Sequence, residues 1–169
     1  MATGPRYSVP YKRKRENKTN YGKRLSAVKS KNPRLVVRKT NKRMIAQIIR
    51  FEESGDKTII SASNNDLKNH GYTNAPKNIA SAYLVGYLIG KMAQKNKIKS
   101  AVMDIGLNVK TKGSRIFAVL AGAVKSGMII PHDEKIFPVA ERLKGEHIKG
   151  FDSSIIDAVI KSIDSKVKA

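Results

Sequence analysis

The stretch Tyr11–Lys31 limits this chain before any other feature, because it is too charged to enter a core. Residues 1–31 carry ten Lys/Arg against a single acid, Glu16. Unpaired charges are costly to bury, and the segment has few large apolar side chains to offset that cost. It must therefore lie outside whatever body follows it, as an arm. High like charge and low apolar content predict an irregular arm, disordered until a partner neutralises it, with one short helix around Tyr21–Val28.

The net charge of +21 is polarised: residues 1–50 contribute +15 and the remaining residues +6. That asymmetry is the pattern of an arm that grips nucleic acid. Lys12, Arg13, Lys14, Arg15, Lys18, Lys23, Arg24, Lys29 and Lys31 are the candidate phosphate contacts, with Thr19 as a hydroxyl donor among them. Tyr7, Tyr11 and Tyr21 interleave with these cations, and aromatic faces can stack on exposed bases. Packing of the same tyrosines back on the body is an equally open reading. A membrane surface is not expected as partner, since the arm lacks the apolar face of an interfacial helix. No secretory h-region is read in residues 1–31, and the longest uncharged apolar run, 78–90, is too short to span a bilayer. The chain has no cysteine, so a disulfide scaffold, a thiolate metal site and a cysteine nucleophile are excluded.

After Asn32-Pro33 the pattern changes to strands. Arg34–Lys39 and Arg43–Phe51 read as a hairpin around Thr40-Asn41-Lys42, and Thr58–Ser63 as a third strand after a turn containing Ser54-Gly55-Asp56. Arg34, Arg38, Lys39, Lys42 and Arg43 crowd the tip and one side of this hairpin, and the tip itself, Thr40, Asn41, Lys42 and Arg43, is an RNA contact or simply a solvated charge run. Pro76 suits the first turn of a helix running to about Gln94 that is apolar on most sides. Gly86 and Gly90, four apart, predict close packing of that helix on the sheet. Ala101–Ile105 reads as a buried strand, so strand, helix and strand predict a crossover and a parallel pair. Ser114 is the expected N-cap of a helix over Arg115–Ser126, ended by Gly127. Met128–His132 is expected to leave the body. A short helix between Pro138 and Gly145 follows, then one capped by Asp152 whose stripe of Ile155, Ile156, Val159, Ile163 and Val167 must dock on the body or on a partner. The expected organisation is a basic arm over 1–31, a mixed-sheet domain over 32–130 and a helical C-terminal extension over 131–169. The fold class is α/β, or α+β with a mixed sheet: a three-strand antiparallel meander, a crossover helix and a parallel fourth strand.

Catalytic chemistry is hard to place. His70, His132 and His147 have no metal-ligand spacing. Gly86–Met92 has the glycines and lysine of a phosphate-binding loop, but one residue too few between the glycines and Met where a hydroxyl is needed. Asp104 could be a nuclease carboxylate, yet paired-metal chemistry needs several acids, and the closest in sequence are Asp66 and Asp133. A structural role at the strand end is expected instead. No cofactor is expected. Lys112-Gly113-Ser114-Arg115, with Lys110 beside it, could receive an anion at a helix N-terminus, or Ser114 could simply cap.

Several segments in order carry a resemblance: Lys12–Tyr21, Pro33–Lys42, Ile45–Ile49, Gly55-Asp56, Ala80–Leu84 with Gly86, Asp104–Leu107, Gly113–Ala118, Ile130–His132 and Gly145–Ile148. Together they cover most of residues 11–148. The sequence resembles the archaeal and eukaryotic form of the large-subunit ribosomal protein eighteen family, and its short tail favours the archaeal type. The resemblance implies a ribonuclease-H-like topology without catalysis. It also implies binding of 5S rRNA, anchored in the central protuberance of the cytoplasmic large subunit. The implied partners are 5S rRNA, large-subunit rRNA and neighbouring ribosomal proteins, including the second 5S-binding protein, rather than further copies of the chain. The arm, the hairpin and the Gly-Ser-Arg loop are where RNA contacts would fall. A non-specific basic nucleic-acid module and a ribonuclease-H-like nuclease are the rival readings.

Overall fold

Val36 and Val37 in Arg34–Lys39 (β1) and Ile45, Ile48 and Ile49 in Met44–Glu52 (β2) favour extended chain, and the two strands pair antiparallel from Arg34↔Ile49 to Lys39↔Met44. This is the first unit of a computed structural model that describes residues 4–148 and 150–168; Met1–Thr3 of the expected arm, Lys149, and Ala169 of the expected extension lie outside the described residues. Gly55–Ser63 (β3) extends the meander antiparallel to β2, with a bulge at Ile48/Ile49. Val102–Asp104 (β4) pairs parallel to β1, so the sheet order is β3-β2-β1-β4. The expected meander, crossover and parallel fourth strand are all present.

Alternation along the strands separates two faces. Leu35, Val37, Met44, Ala46, Ile48, Ile60 and Ala62 are buried under the helices. Arg34, Val36, Arg38, Ile45, Gln47 and Ile49 point to the other side. Asp56 and Phe51, directly paired beyond the bulge, also lie on that outer side, two residues on from Ile49.

The crossover helix, Ile79–Lys95 (α3), starts three residues later than Pro76 predicts. Asn78 is the reason: its Oδ1 accepts the Ser81 N–H at 2.6 Å, a stronger start signal than a proline that merely tolerates the position. Pro76 instead offers its carbonyl to the Ser81 hydroxyl at 2.8 Å and to the Asn64 amide. Asn64 is buried, and its Oδ1 accepts the Met44 N–H, so one side chain ties the start of β2 to the approach of α3.

The glycine stripe of α3 packs on Arg115–Lys125 (α4), not on the sheet. A Cβ at Gly86 would lie 1.9 Å from the Val119 carbonyl oxygen, and one at Gly122 would lie 2.0 Å from that of Tyr83. Ala118, Ala121, Gly122 and Ala123 make α4 smooth as well. Two helices lacking bulk at their contact can bring backbones together, which a pleated sheet does not require.

Met128–Ile130 stays with the body, contrary to expectation. Ile129 bridges Ser100 in parallel, donating to the Lys99 carbonyl at 2.9 Å and accepting from Ala101 N–H at 3.1 Å. Met128 and Ile130, on either side of it, turn inward and are buried. Ala140–Lys144 (α5) ends at Gly145, whose φ of 76° is left-handed. Ser154–Lys168 (α6) begins with Asp152 accepting the Ser154 N–H at 2.9 Å. Its stripe docks on the body: Ile156, Val159 and Ile163 are buried, the Tyr87 hydroxyl donates to Asp164 at 3.0 Å, and Lys91 pairs with Asp164 at 2.9 Å. The Asp164 carboxylate, accepting from the Lys91 ammonium, holds it above its ordinary pKa. Among the described residues no helix is long and apolar enough to cross a membrane.

Candidate nucleic-acid interface

The arm forms two short helices, Lys12–Arg15 (α1) and Tyr21–Lys29 (α2), where the sequence predicts irregular chain except around Tyr21–Val28. Asn20 starts α2 by accepting the Lys23 N–H at 3.1 Å. Arg13 Nε donates to the Thr19 hydroxyl at 2.9 Å and so closes the turn between the two helices. Lys12, Arg13, Lys14, Arg15, Lys18, Lys23, Lys29 and Lys31 are exposed, and Lys18 pairs with Glu16 at 2.8 Å. Tyr11 and Tyr21 pack on each other, ring centroids 5.3 Å apart, and Tyr11 remains 75% exposed. Their contact is thus within the arm, a third possibility beside bases and body.

Arg24 joins the arm to the sheet, pairing with Asp56 at 2.9 Å. The same carboxylate receives Arg34 at 2.7 Å, and Arg34 also reaches Asp104 at 3.2 Å. Arg34 is the departure from expectation. Its place near the hairpin suggested a surface contact, but it is only 4% exposed. Two carboxylates hold it against the outer sheet face, as a buried guanidinium requires. Asp104 has the expected structural role: besides Arg34, its Oδ1 accepts the Gly106 N–H at 2.8 Å. Asp56, distant in sequence, is the acid that sequence spacing missed. The two carboxylates are committed to arginines, and among the described residues no three acids or histidines gather as a metal site.

Replacing Arg34 with methionine leaves both carboxylates without their shared partner. They keep some solvent contact, so the cost should fall below the range for a fully buried pair, at about 2 kcal/mol. Urea denaturation of Arg34→Met against the parent chain measures it; an unchanged midpoint would mean that the cluster contributes nothing to stability.

Arg38 is 44% exposed on its side chain, and its Nη1 donates to the carbonyls of Val37 at 3.1 Å and Asp104 at 3.3 Å. Gly106 allows this: with φ of 61°, a Cβ there would sit 2.9 Å from Arg38 Nη1. At the hairpin tip the Thr40 hydroxyl accepts the Arg43 N–H at 2.9 Å, and Asn41, Lys42 and Arg43 point into solvent. Lys110 and Lys112 are exposed on the loop after β4. Gly113 N–H donates to the Ile136 carbonyl at 3.0 Å. Ser114 does start α4, but through its backbone alone: its carbonyl accepts the Ala118 N–H at 3.0 Å, while its hydroxyl is buried without a partner among the described residues. Arg115 turns to the Lys77 carbonyl at 3.0 Å.

Arg13, Lys18, Lys23, Arg24, Arg34 and Arg38 are brought together around one partly enclosed cleft of about 210 Å³ between arm and sheet. A neighbouring depression joins Lys23 to Lys110. The hairpin tip, at the C-terminal end of β1, contributes no lining residue to the cleft. β4 runs parallel to β1, so the loop carrying Lys110 and Lys112 emerges at that same end.

This chain is similar to proteins of one family over nearly its whole length. The family described as "Ribosomal large subunit proteins 60S L5, and 50S L18" matches residues 5–100 and 91–133. A protein of Methanoregula boonei named "Large ribosomal subunit protein uL18" is 45% identical over 169 residues, all of this chain and 97% of that protein. The protein of the same name from Methanospirillum hungatei is 48% identical over 148 residues, 88% of this chain and 85% of that one. At this identity and coverage, the chain belongs to the archaeal-type uL18 family of large-subunit ribosomal proteins.

Proposed function

We propose that this protein is a structural, non-catalytic constituent of the large ribosomal subunit that binds 5S rRNA and helps anchor it in the central protuberance. The observation that carries the reading is the convergence of cations in a member of this family: the arm, β1 and the loop after β4 line two adjoining depressions. Exposed arm cations meet phosphates, and the hairpin tip and Lys112 extend the grip along the end of the sheet. Arg34 acts indirectly, by fixing Asp56 and through it Arg24. Large-subunit rRNA and neighbouring proteins, including the second 5S-binding protein, complete the surroundings in the cytoplasmic ribosome; a homo-oligomer is not part of the reading. The scaffold is read as ribonuclease-H-like, supported by the order β3-β2-β1-β4 and by the bridge of Ile129 to Ser100 on the far side of β4.

The experiment is a competition between 5S rRNA, transfer RNA and duplex DNA for the full chain at fixed salt. Binding of 5S rRNA should exceed the other two by at least about tenfold, because backbone charge alone gives no such preference. Equal competition by all three would replace this reading with a non-specific basic module.

A further inference from the structure

We infer that the cleft between the arm and the outer sheet face receives a single unstacked nucleotide of the bound RNA. The inference rests on the RNA-binding reading above and adds a definite receptor to it. The cleft has three chemistries at once. Its apolar part is the half-buried Ile49, with Val36 almost covered beside it. Its walls hold Arg13, Lys23, Arg24 and Arg38, and two carboxylates, Asp56 and Asp104, remain in the lining.

The six cations of the lining outnumber its two carboxylates and suit a phosphate, and the partly open Ile49 beside them is apolar surface that a phosphate alone does not use. A nucleotide uses all three. Its base is flat and apolar on its faces, so it can lie on Ile49 beneath a guanidinium plane. Its edges present both donors and acceptors. Asp56 directs Oδ2 at Arg24 and Arg34, which leaves Oδ1 to accept from an exocyclic amino group. Its phosphate would lie at the mouth, near Lys18 and Lys23. The volume of about 210 Å³ is below the roughly 300–1,000 Å³ of sites that take a drug-sized ligand. It suits one base and not a stacked pair.

The arrangement is held before the ligand arrives. Asn20 starts α2 and Arg13 clasps Thr19 within the arm, and Arg24 clasps Asp56 and so ties the roof of the cleft to the sheet.

The test uses the full chain and 5S rRNA carrying single abasic residues, which keep every phosphate but remove one base. Wild type should lose about ten- to hundredfold in affinity at one unpaired position and little at its unpaired neighbours, as expected when one stacked base is lost. Ile49→Trp fills the floor of the cleft. It should bind intact RNA weaker by a similar factor, and the sensitive abasic position should then cost it nothing more. Ile49→Phe serves as a milder filling if the tryptophan variant melts early, and the wild-type series stands by itself. Uniform tolerance of abasic residues by wild type, or full affinity in a folded filled variant, would overturn the cleft. Failure of intact 5S rRNA to bind wild type in preference to duplex DNA would instead overturn the underlying reading.

Discussion

Alanine at Gly86 should destabilise the protein by about 3 kcal/mol, the upper end of the range for overpacking. Most overpacked sites yield by moving a side-chain tip. Here the added Cβ would meet a carbonyl oxygen at 1.9 Å, with the Val119 backbone carbon and Cα at 2.7 and 2.8 Å. Only separation of α3 from α4 relieves this, and that opens the largest helix–helix contact of the core. The loss would be a large part of a typical total of roughly 5–15 kcal/mol. Gly22, on the exposed arm helix, is the control. A Cβ there meets only Asn20 Oδ1, at 3.5 Å, and removing a helix glycine should be neutral or stabilise by up to about 1 kcal/mol. Thermal and urea unfolding of Gly86→Ala and Gly22→Ala check the pair. Equal small effects would mean that α3 and α4 can part at little cost.

Alanine at Lys12, Arg13, Lys14 and Arg15 together should flatten the salt dependence of RNA binding. α1 places these four exposed cations within one turn. Each phosphate neutralised contributes about 0.7–0.9 to the slope of log affinity against log salt, so four lost contacts lower the slope by about 3. Between 50 mM and 200 mM salt the parent should therefore lose about two decades more affinity than the variant. The core should be untouched, since α1 buries no residue. Binding isotherms over that salt range, beside an unchanged melting curve, make the comparison. A slope within about 0.5 of the parent would remove α1 from the interface.

The parts of this fold that one residue and its neighbours decide were legible in the sequence. β1 is bounded as expected because β-branched residues sit between Pro33 and a Thr-Asn turn. α4 starts at Arg115 because Gly113-Ser114 breaks the preceding chain. The parts that needed a distant partner were not. Asn78 could be seen as a cap only in competition with Pro76, and Asn64 gave no sign that it would join β2 to α3. The partner of the Gly86 stripe was invisible because small residues on one helix match a sheet or a helix equally well. The basic surface was legible as composition but not as geometry. Charge counting treats Arg34 and Arg38 alike. One is enclosed by Asp56 and Asp104, and the other is left 44% exposed on its side chain. That division depends on a carboxylate at the start of β3 whose importance no local pattern announces.

The docking of α6 has a consequence for how the chain is made. The Tyr87–Asp164 hydrogen bond closes a loop of 77 residues. While the chain is being synthesised, α3 emerges long before the helix that covers it. Until α6 follows, Tyr87 and its apolar neighbours face water, and the nascent protein presents a sticky flank beside a strongly cationic N-terminus. Elongation at roughly 5–20 residues per second makes that interval last several seconds. The period of greatest exposure to misassembly, and of greatest use for a chaperone, thus falls between the synthesis of α3 and that of α6.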